Sequence, residues 1–202
     1  MASVGAMERF SRDLVWQRST EPGFEHVLVD DRDGLRARGT MIAAEPRPYT
    51  LRYSAITDRA WATTTVEVET EGAGWRRRVR LEHKADGWRV TASEQGAFDR
   101  SLPGIELPET LDPAVDVDLG YSPLFNSLPV RRRALLAQPA GTAERYTMAF
   151  IAVPSLVVAP SEQTYTVLGE GRIRFTSGTF TAELQVDADG YVTHYPGLAT
   201  RA

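Results

Sequence analysis

The sequence predicts a mainly β fold in a single domain, and three observations predict it. Apolar and polar residues alternate with period two through most of the chain, as they do when successive side chains point to opposite faces of a strand. Turn residues interrupt that alternation every dozen residues or so. Only residues 128–138 carry the punctuation of a short helix. The 202 residues show no internal repeat, and 42% hydrophobic with 25% charged residues is ordinary globular composition. One undivided all-β domain of this size can bury a sizeable core. Residues 1–11 read as a disordered leader ahead of it.

The elements follow in order. Phe24, His26 and Leu28 alternate with Glu25, Val27 and Val29. Asp31-Arg32-Asp33-Gly34 then turns the chain into Leu35, Ala37, Gly39 and Met41, making a hairpin with one wet face. Tyr49, Leu51, Tyr53 and Ala55 share a face of the next strand, and Thr64, Val66 and Val68 of the one after. Glu71-Gly72-Ala73-Gly74 leads into Trp75, Val79 and Leu81, which alternate with Arg76, Arg78 and Arg80. The Glu67/Glu69 row is expected to face that arginine row across the hairpin, each pair contributing up to about 1 kcal/mol. Lys84-Ala85-Asp86-Gly87 turns into a strand beginning at Trp88. Pro103, Gly104, Pro108 and Pro113 exclude a long helix from residues 97–113, which read as a loop or crossover. Alternation resumes over residues 115–119. In the helix at 128–138, Pro129 is expected in the first turn and Pro139 ends it. Strands return at 146–153, 164–168, 172–177, 179–186 and 191–195, with turns at Gly169-Glu170-Gly171 and Asp187-Ala188-Asp189-Gly190. About ten strands and one short helix point to an all-β barrel or roll, or to an α+β fold with one or two helices.

Composition narrows the chemistry. Net charge is −4 with a pI near 5.5. The two three-residue arginine runs, beginning at Arg76 and Arg131, lack interleaved aromatics, so no nucleic-acid partner is expected. There is no cysteine, which removes disulfides, thiolate nucleophiles and Cys-ligated zinc. The first residues lack the basic and apolar regions of a secretory signal, and the longest apolar runs, such as 148–153, fall far short of the ~20 residues of a membrane helix. A cytoplasmic location with no integral membrane segment is the expectation.

No cofactor is expected, since the glycines mark turns rather than a phosphate loop or dinucleotide fingerprint. His26, His83 and His194 sit on separate strands without ligand spacing, so no metal is expected either. Asp187-Ala188-Asp189-Gly190 begins like a calcium loop but has strands on both flanks, which favours a plain turn. Asp112, Asp116 and Asp118 form the densest acidic patch, with Asp116 and Asp118 on one strand face. They could serve as an acid/base pair or a hard-cation site. Pairing with Arg131, Arg132 or Arg133 is favoured over both, because buried carboxylates need a partner. No Gly-x-Ser-x-Gly elbow is present. The tryptophans and tyrosines fall at or beside strand positions, consistent with core packing or with the lining of a ligand cavity.

Residues 117–132, Val-Asp-Leu-Gly-Tyr-Ser-Pro-Leu-Phe-Asn-Ser-Leu-Pro-Val-Arg-Arg, resemble the bacterial putative glycolipid-binding family. That family's pattern there is an acidic strand, a loop with Pro, Phe and Asn, then Leu-Pro-Ile/Val-Arg-Arg. The likeness continues at 153–158, Gln163-Thr164-Tyr165, 180–184, 187–190 and 195–198. Upstream it includes 23–27 and Leu51-Arg52-Tyr53, so that it spans residues 14–198. Residues 94–108 depart from the pattern. The resemblance implies a single highly curved antiparallel sheet, a β-roll or half-barrel with one short helix and an apolar cavity, similar in outline to lipoprotein carriers. It also implies a lipid-like or glycolipid-like ligand and carries no catalytic residues.

On that footing Asn126, Arg131 and Arg132 are expected at the mouth of the cavity, with Asp118, Phe125 and Tyr165 as further ligand contacts. Arginine suits carboxylate or phosphate, and asparagine suits hydroxyls. A structural role, holding the loop against Asp116 and Asp118, competes for the same arginines. The expected function is a binding or carrier protein for an amphipathic molecule. The alternatives are a hydrolase using Asp116 or Asp118 and a module that pairs with a protein through a sheet edge.

Overall fold

The computed structural model describes residues 10–99 and 101–202. Its strands are β1 (Arg12–Arg18), β2 (Gly23–Asp30), β3 (Arg36–Ala43), β4 (Tyr49–Thr57), β5 (Thr63–Gly72), β6 (Trp75–Lys84), β7 (Gly87–Gly96), β8 (Asp116–Leu119), β9 (Ala143–Ile151), β10 (Val158–Gly169), β11 (Arg172–Ser177), β12 (Phe180–Val186), β13 (Val192–Tyr195) and β14 (Ala199–Arg201), with one helix, α1 (Pro123–Arg132). All fourteen strands belong to one sheet, in the order β7-β6-β5-β4-β3-β2-β1-β14-β13-β12-β11-β10-β9-β8. The ladder does not close, and β7 and β8 are its two edges.

The mainly β expectation holds, with three corrections. The sheet is not wholly antiparallel, because β8 pairs parallel with β9, Asp118 beside Phe150. The chain has to cross over through α1 to reach β9, and a helical crossover is what delivers a parallel neighbour. The strands outnumber the expected ten partly through β1 and β14. The first places Arg18 at a buried position, which masks its alternation, and the second is three residues long. The helix begins at Pro123 rather than at residue 128. Pro123, not Pro129, takes the first-turn position where a missing N–H costs nothing. Pro129 then sits in the helix interior, and the helix ends at Arg132 with Arg133 as its C-cap and Ala134 left-handed at φ 48°. The expected leader lies outside the described residues apart from Phe10 and Ser11. Ser11 is held, its N–H and hydroxyl both donating to the Val29 carbonyl at 2.7 and 3.1 Å.

Buried rows run straight across the strands. Leu14, Val27, Gly39, Tyr53, Val68 and Val79 are successive cross-strand partners from β1 to β6. Gly39 is required in that row, because a Cβ there would stand 2.0 Å from the Tyr53 ring. On the opposite face Glu67 pairs with Arg80, Glu69 with Arg78 and Glu71 with Arg76, the charge ladder that the sequence predicts.

Buried tryptophans tie segments together through their ring N–H groups. Trp16 donates to the Val192 carbonyl at 2.8 Å and Trp88 to the Ala114 carbonyl at 2.9 Å. The crossover of residues 97–115 is anchored by Arg77, which is 0% exposed. Its guanidinium reaches Glu94 at 3.0 Å, Asp99 at 3.2 Å and the Ser155 carbonyl at 2.8 Å, and it stacks on Phe98. Bonds also reach from one end of the ladder to the other. Thr63 of β5 donates its N–H to Val115 just before β8, and the Val117 N–H of β8 donates to Thr63 Oγ1, both at 3.3 Å. Among the described residues no helix is long and apolar enough to cross a membrane.

Candidate functional site

Strand periodicity assembles the site. The ladder sets Asp118 beside Phe150, Met148 beside Ser161, Gln163 beside Ser177 and Tyr165 beside Phe175, so these residues of β8 to β11 share one face. Phe180 of β12 joins them opposite Ser177. Helix α1 lies over this face and contributes Ser122, at its N-cap, and Asn126. Most of the covered face is filled by the protein's own side chains, among them Trp16, Met41, Leu51, Phe125 and Leu128. What remains open is a cleft of about 430 Å³. Its floor is polar, with Asp118, Ser122, Asn126 and Gln163, and its walls include Phe150, Val153, Phe175, Phe180, Tyr195 and Leu198. That volume falls within the roughly 300–1,000 Å³ of small-molecule sites.

The floor is a continuous hydrogen-bond network. Gln163 donates its side-chain amide to Asp118 Oδ2 at 2.7 Å, Tyr165 donates its hydroxyl to Gln163 Oε1 at 3.1 Å, and Asn126 donates to the Tyr165 hydroxyl at 2.9 Å. Among the described residues no cation partners Asp118. Burial therefore dominates and pushes its carboxyl up to about 6, against the opposing bonds from Gln163 and the Leu119 N–H. Behind Ser122 lies a second buried carboxyl, Glu25 of β2. It accepts from Ser122 Oγ at 2.6 Å and from the Tyr53 hydroxyl at 2.7 Å, and burial raises it to about 7. The positively charged Arg18 nearby opposes that rise only weakly.

On the wall, Phe175, Phe180 and Tyr195 form a triangle with ring centroids 6.1 to 6.3 Å apart. At that spacing the rings touch one another and present a platform rather than a cage. Phe180 is 50% exposed at the mouth.

The six residues singled out from the sequence separate. Asp118 and Asn126 line the cleft, and Tyr165 lies directly beneath it in the same network. Phe125 packs in the core against Tyr53 at 5.3 Å. Arg132 forms a two-point ion pair with wholly buried Asp116, at 3.0 Å through Nε and 2.8 Å through Nη2. Arg131 stacks on Trp61 at 4.1 Å and donates to the Asp189 carbonyl. The two arginines are absent from the cleft lining, and their charges are spent within the fold.

Gln163, Glu25, Phe175 and Phe180 are functional residues that the sequence reading misses. A signal was present in β10, where Ser161, Gln163 and Tyr165 share one parity. Polar residues on the face that packs under a helix mark a floor rather than a core. A larger depression of about 660 Å³ lies at the β5–β6 turn, lined by Gly72, Ala73, Gly74 and Gly96. Strand residues including Ile42, Tyr49, Thr50, Glu71, Trp75 and Arg76 complete its lining, and it gathers no buried polar network like the one under the cleft.

Comparison with known proteins follows this geometry. A family model described as "Putative glycolipid-binding" matches residues 13–201. The crystal structure of a DUF1089 family protein from Pseudomonas aeruginosa is similar with a TM-score of 0.71 and 26% identity, over 92% of this chain and 95% of that one. No curated protein matches the chain.

Proposed function

We propose, for a chain that belongs to the putative glycolipid-binding family, a binding or carrier role toward an amphipathic, glycolipid-like molecule. The apolar part lies along Phe150, Val153, Phe175 and Phe180, and the polar end rests on the floor of Asp118, Asn126 and Gln163. The observation that carries this reading is the cleft itself, with aromatic and aliphatic walls above a buried, hydrogen-bonded polar floor. Support for a sheet rolled around that face comes from the bonds between β8 and β5. The two strands are eleven places apart in the ladder, which at about 4.8 Å per place would separate them by roughly 50 Å in a flat sheet. A concave sheet would account for that reach.

A carrier is favoured over a hydrolase because the acidic pair divides. Asp116 is committed to Arg132, and Asp118 faces the cleft without a second carboxylate or a histidine beside it in the lining. Binding is tested with alkyl glucosides of increasing chain length, titrated below their micellar concentrations, alongside native mass spectrometry of the purified protein. Each methylene buried adds about 0.8 kcal/mol, or roughly fourfold in affinity, until the chain outgrows the cleft. Affinity that is independent of chain length, with no lipid-like mass retained by the protein, would overturn the carrier role.

A further inference from the structure

The proton directions in the floor are fixed, and they determine what a ligand must bring. An ionised carboxylate only accepts hydrogen bonds. Gln163 must therefore turn its NH₂ group to Asp118, which leaves its carbonyl oxygen facing Tyr165. The Tyr165 hydroxyl hydrogen is then committed to that oxygen, and Asn126 must turn its own NH₂ group toward Tyr165. One N–H of each amide and the Tyr165 hydroxyl hydrogen are spent within this chain, which leaves each amide one further N–H and leaves the lone pairs of Asp118 as the charged feature of the floor. The same holds on the other side, where the hydroxyl hydrogens of Ser122 and Tyr53 both go to Glu25 Oε1. Ser122 Oγ keeps only lone pairs. Backbone donors nearby are also committed, the Gly120 N–H to the Ile151 carbonyl and the Ser122 N–H to the Leu119 carbonyl, each at 3.0 Å. No lysine, arginine or histidine lines the cleft among the described residues.

We infer that the floor of the cleft is an acceptor surface, built from Asp118 and Ser122, which selects ligand heads that present hydroxyl hydrogens and rejects heads that only accept, such as phosphate. This rests on the carrier reading and narrows it. Asp118 has lone pairs beyond those used by Gln163, and Ser122 Oγ is polarised toward accepting by its bond to Glu25. A phosphate head would set its oxygens against a carboxylate with no cation to intervene. The hydroxyls of Ser161 and Ser177, 3.3 Å apart, and those of Tyr121 and Tyr195 in the lining can rotate either way and accommodate either kind of head. They do not offset the buried floor. Glu25 acts here through Ser122 and is a positioning residue.

The test compares three ligands sharing one ten-carbon chain: decyl glucoside, the same glucoside with every hydroxyl methylated, and decyl phosphate. Binding is measured by calorimetry below the micellar concentrations at about pH 8, where Asp118 and Glu25 are ionised. The glucoside is expected to bind at least about tenfold more tightly than either of the others, the equivalent of about 1.4 kcal/mol. Ser122→Ala is expected to weaken glucoside binding about fivefold and leave the methylated compound unchanged, as loss of one acceptor requires. Ser122 makes no side-chain cap bond to α1, so the variant keeps the helix start. Equal or tighter binding of the methylated or phosphate ligand would overturn the acceptor-floor inference while leaving the carrier reading intact. Failure of all three to bind would overturn both.

Discussion

Replacing Asp118 by asparagine should make the protein more stable at neutral and alkaline pH, an unusual outcome for a substitution at a site residue. Asp118 is buried, bonded to Gln163 at 2.7 Å and without a cation, and its carboxyl titrates near 6 rather than at the ordinary 3.8. A displacement of about two pH units corresponds to about 3 kcal/mol. The sign follows from proton binding. The folded pKa lies above the unfolded one, so between about pH 4 and 6 the native state holds more protons. Stability is fully present below that window and is lost as pH rises through about 6. Asparagine removes the buried charge and can keep its carbonyl oxygen on Gln163. It gives up acceptance of the Leu119 N–H, at a cost of about 1 kcal/mol. The net gain is about 2 kcal/mol at about pH 8, falling to zero or below near pH 4. Urea unfolding of both proteins across that range measures it. Glu25, raised to about 7, contributes a similar slope to both proteins and cancels in the difference. A difference that does not vary with pH, or a wild type more stable at about pH 8, would show that the buried Asp118 charge carries no such cost.

Arg132→Ala strands Asp116, 0% exposed, without its ion-pair partner, and should cost about 3–5 kcal/mol in denaturant unfolding. Gly39→Ala drives a methyl group into the Tyr53 ring and disturbs the bond to Glu25. A loss of about 1–3 kcal/mol is expected, visible as a lowered thermal midpoint. Glu67→Gln, by contrast, touches only an exposed cross-strand cluster with Arg78 and Arg80, and should change stability by less than about 1 kcal/mol, with that change shrinking as salt is added.

The fold was legible wherever a strand has one wet face. The Glu67/Glu69 row opposite Arg78 and Arg80, and the turns at Gly34, Gly74 and Gly190, follow from alternation and left-handed glycine alone. It was less legible where proline can serve two purposes. Pro123 and Pro129 both fit a first helical turn by local rules, and tertiary packing of Leu124, Phe125 and Leu128 sets the helix five residues earlier. The site was half legible. Asp118 and Asn126 lie in one dense segment. Phe175, Phe180 and Tyr195 reach the cleft only through strand register over long separations, which no local pattern encodes, while Gln163 leaves one local trace in its shared parity with Ser161 and Tyr165. The arginine pair was misleading for a physical reason. The chain places a buried carboxylate, Asp116, within reach of Arg132, and such a pair satisfies itself before any ligand arrives.

In the proposed role one cleft, floored by Asp118 and walled by the Phe175–Phe180–Tyr195 platform, receives an amphipathic ligand. Amide chemical-shift mapping with decyl glucoside below its micellar concentration addresses it directly. Saturable shifts are expected at residues 118–122, 150–153, 161–163, 175–180 and 195–198. Shifts centred instead on residues 72–76 and 95–96 at the β5–β6 turn, or none at saturating ligand, would contradict it.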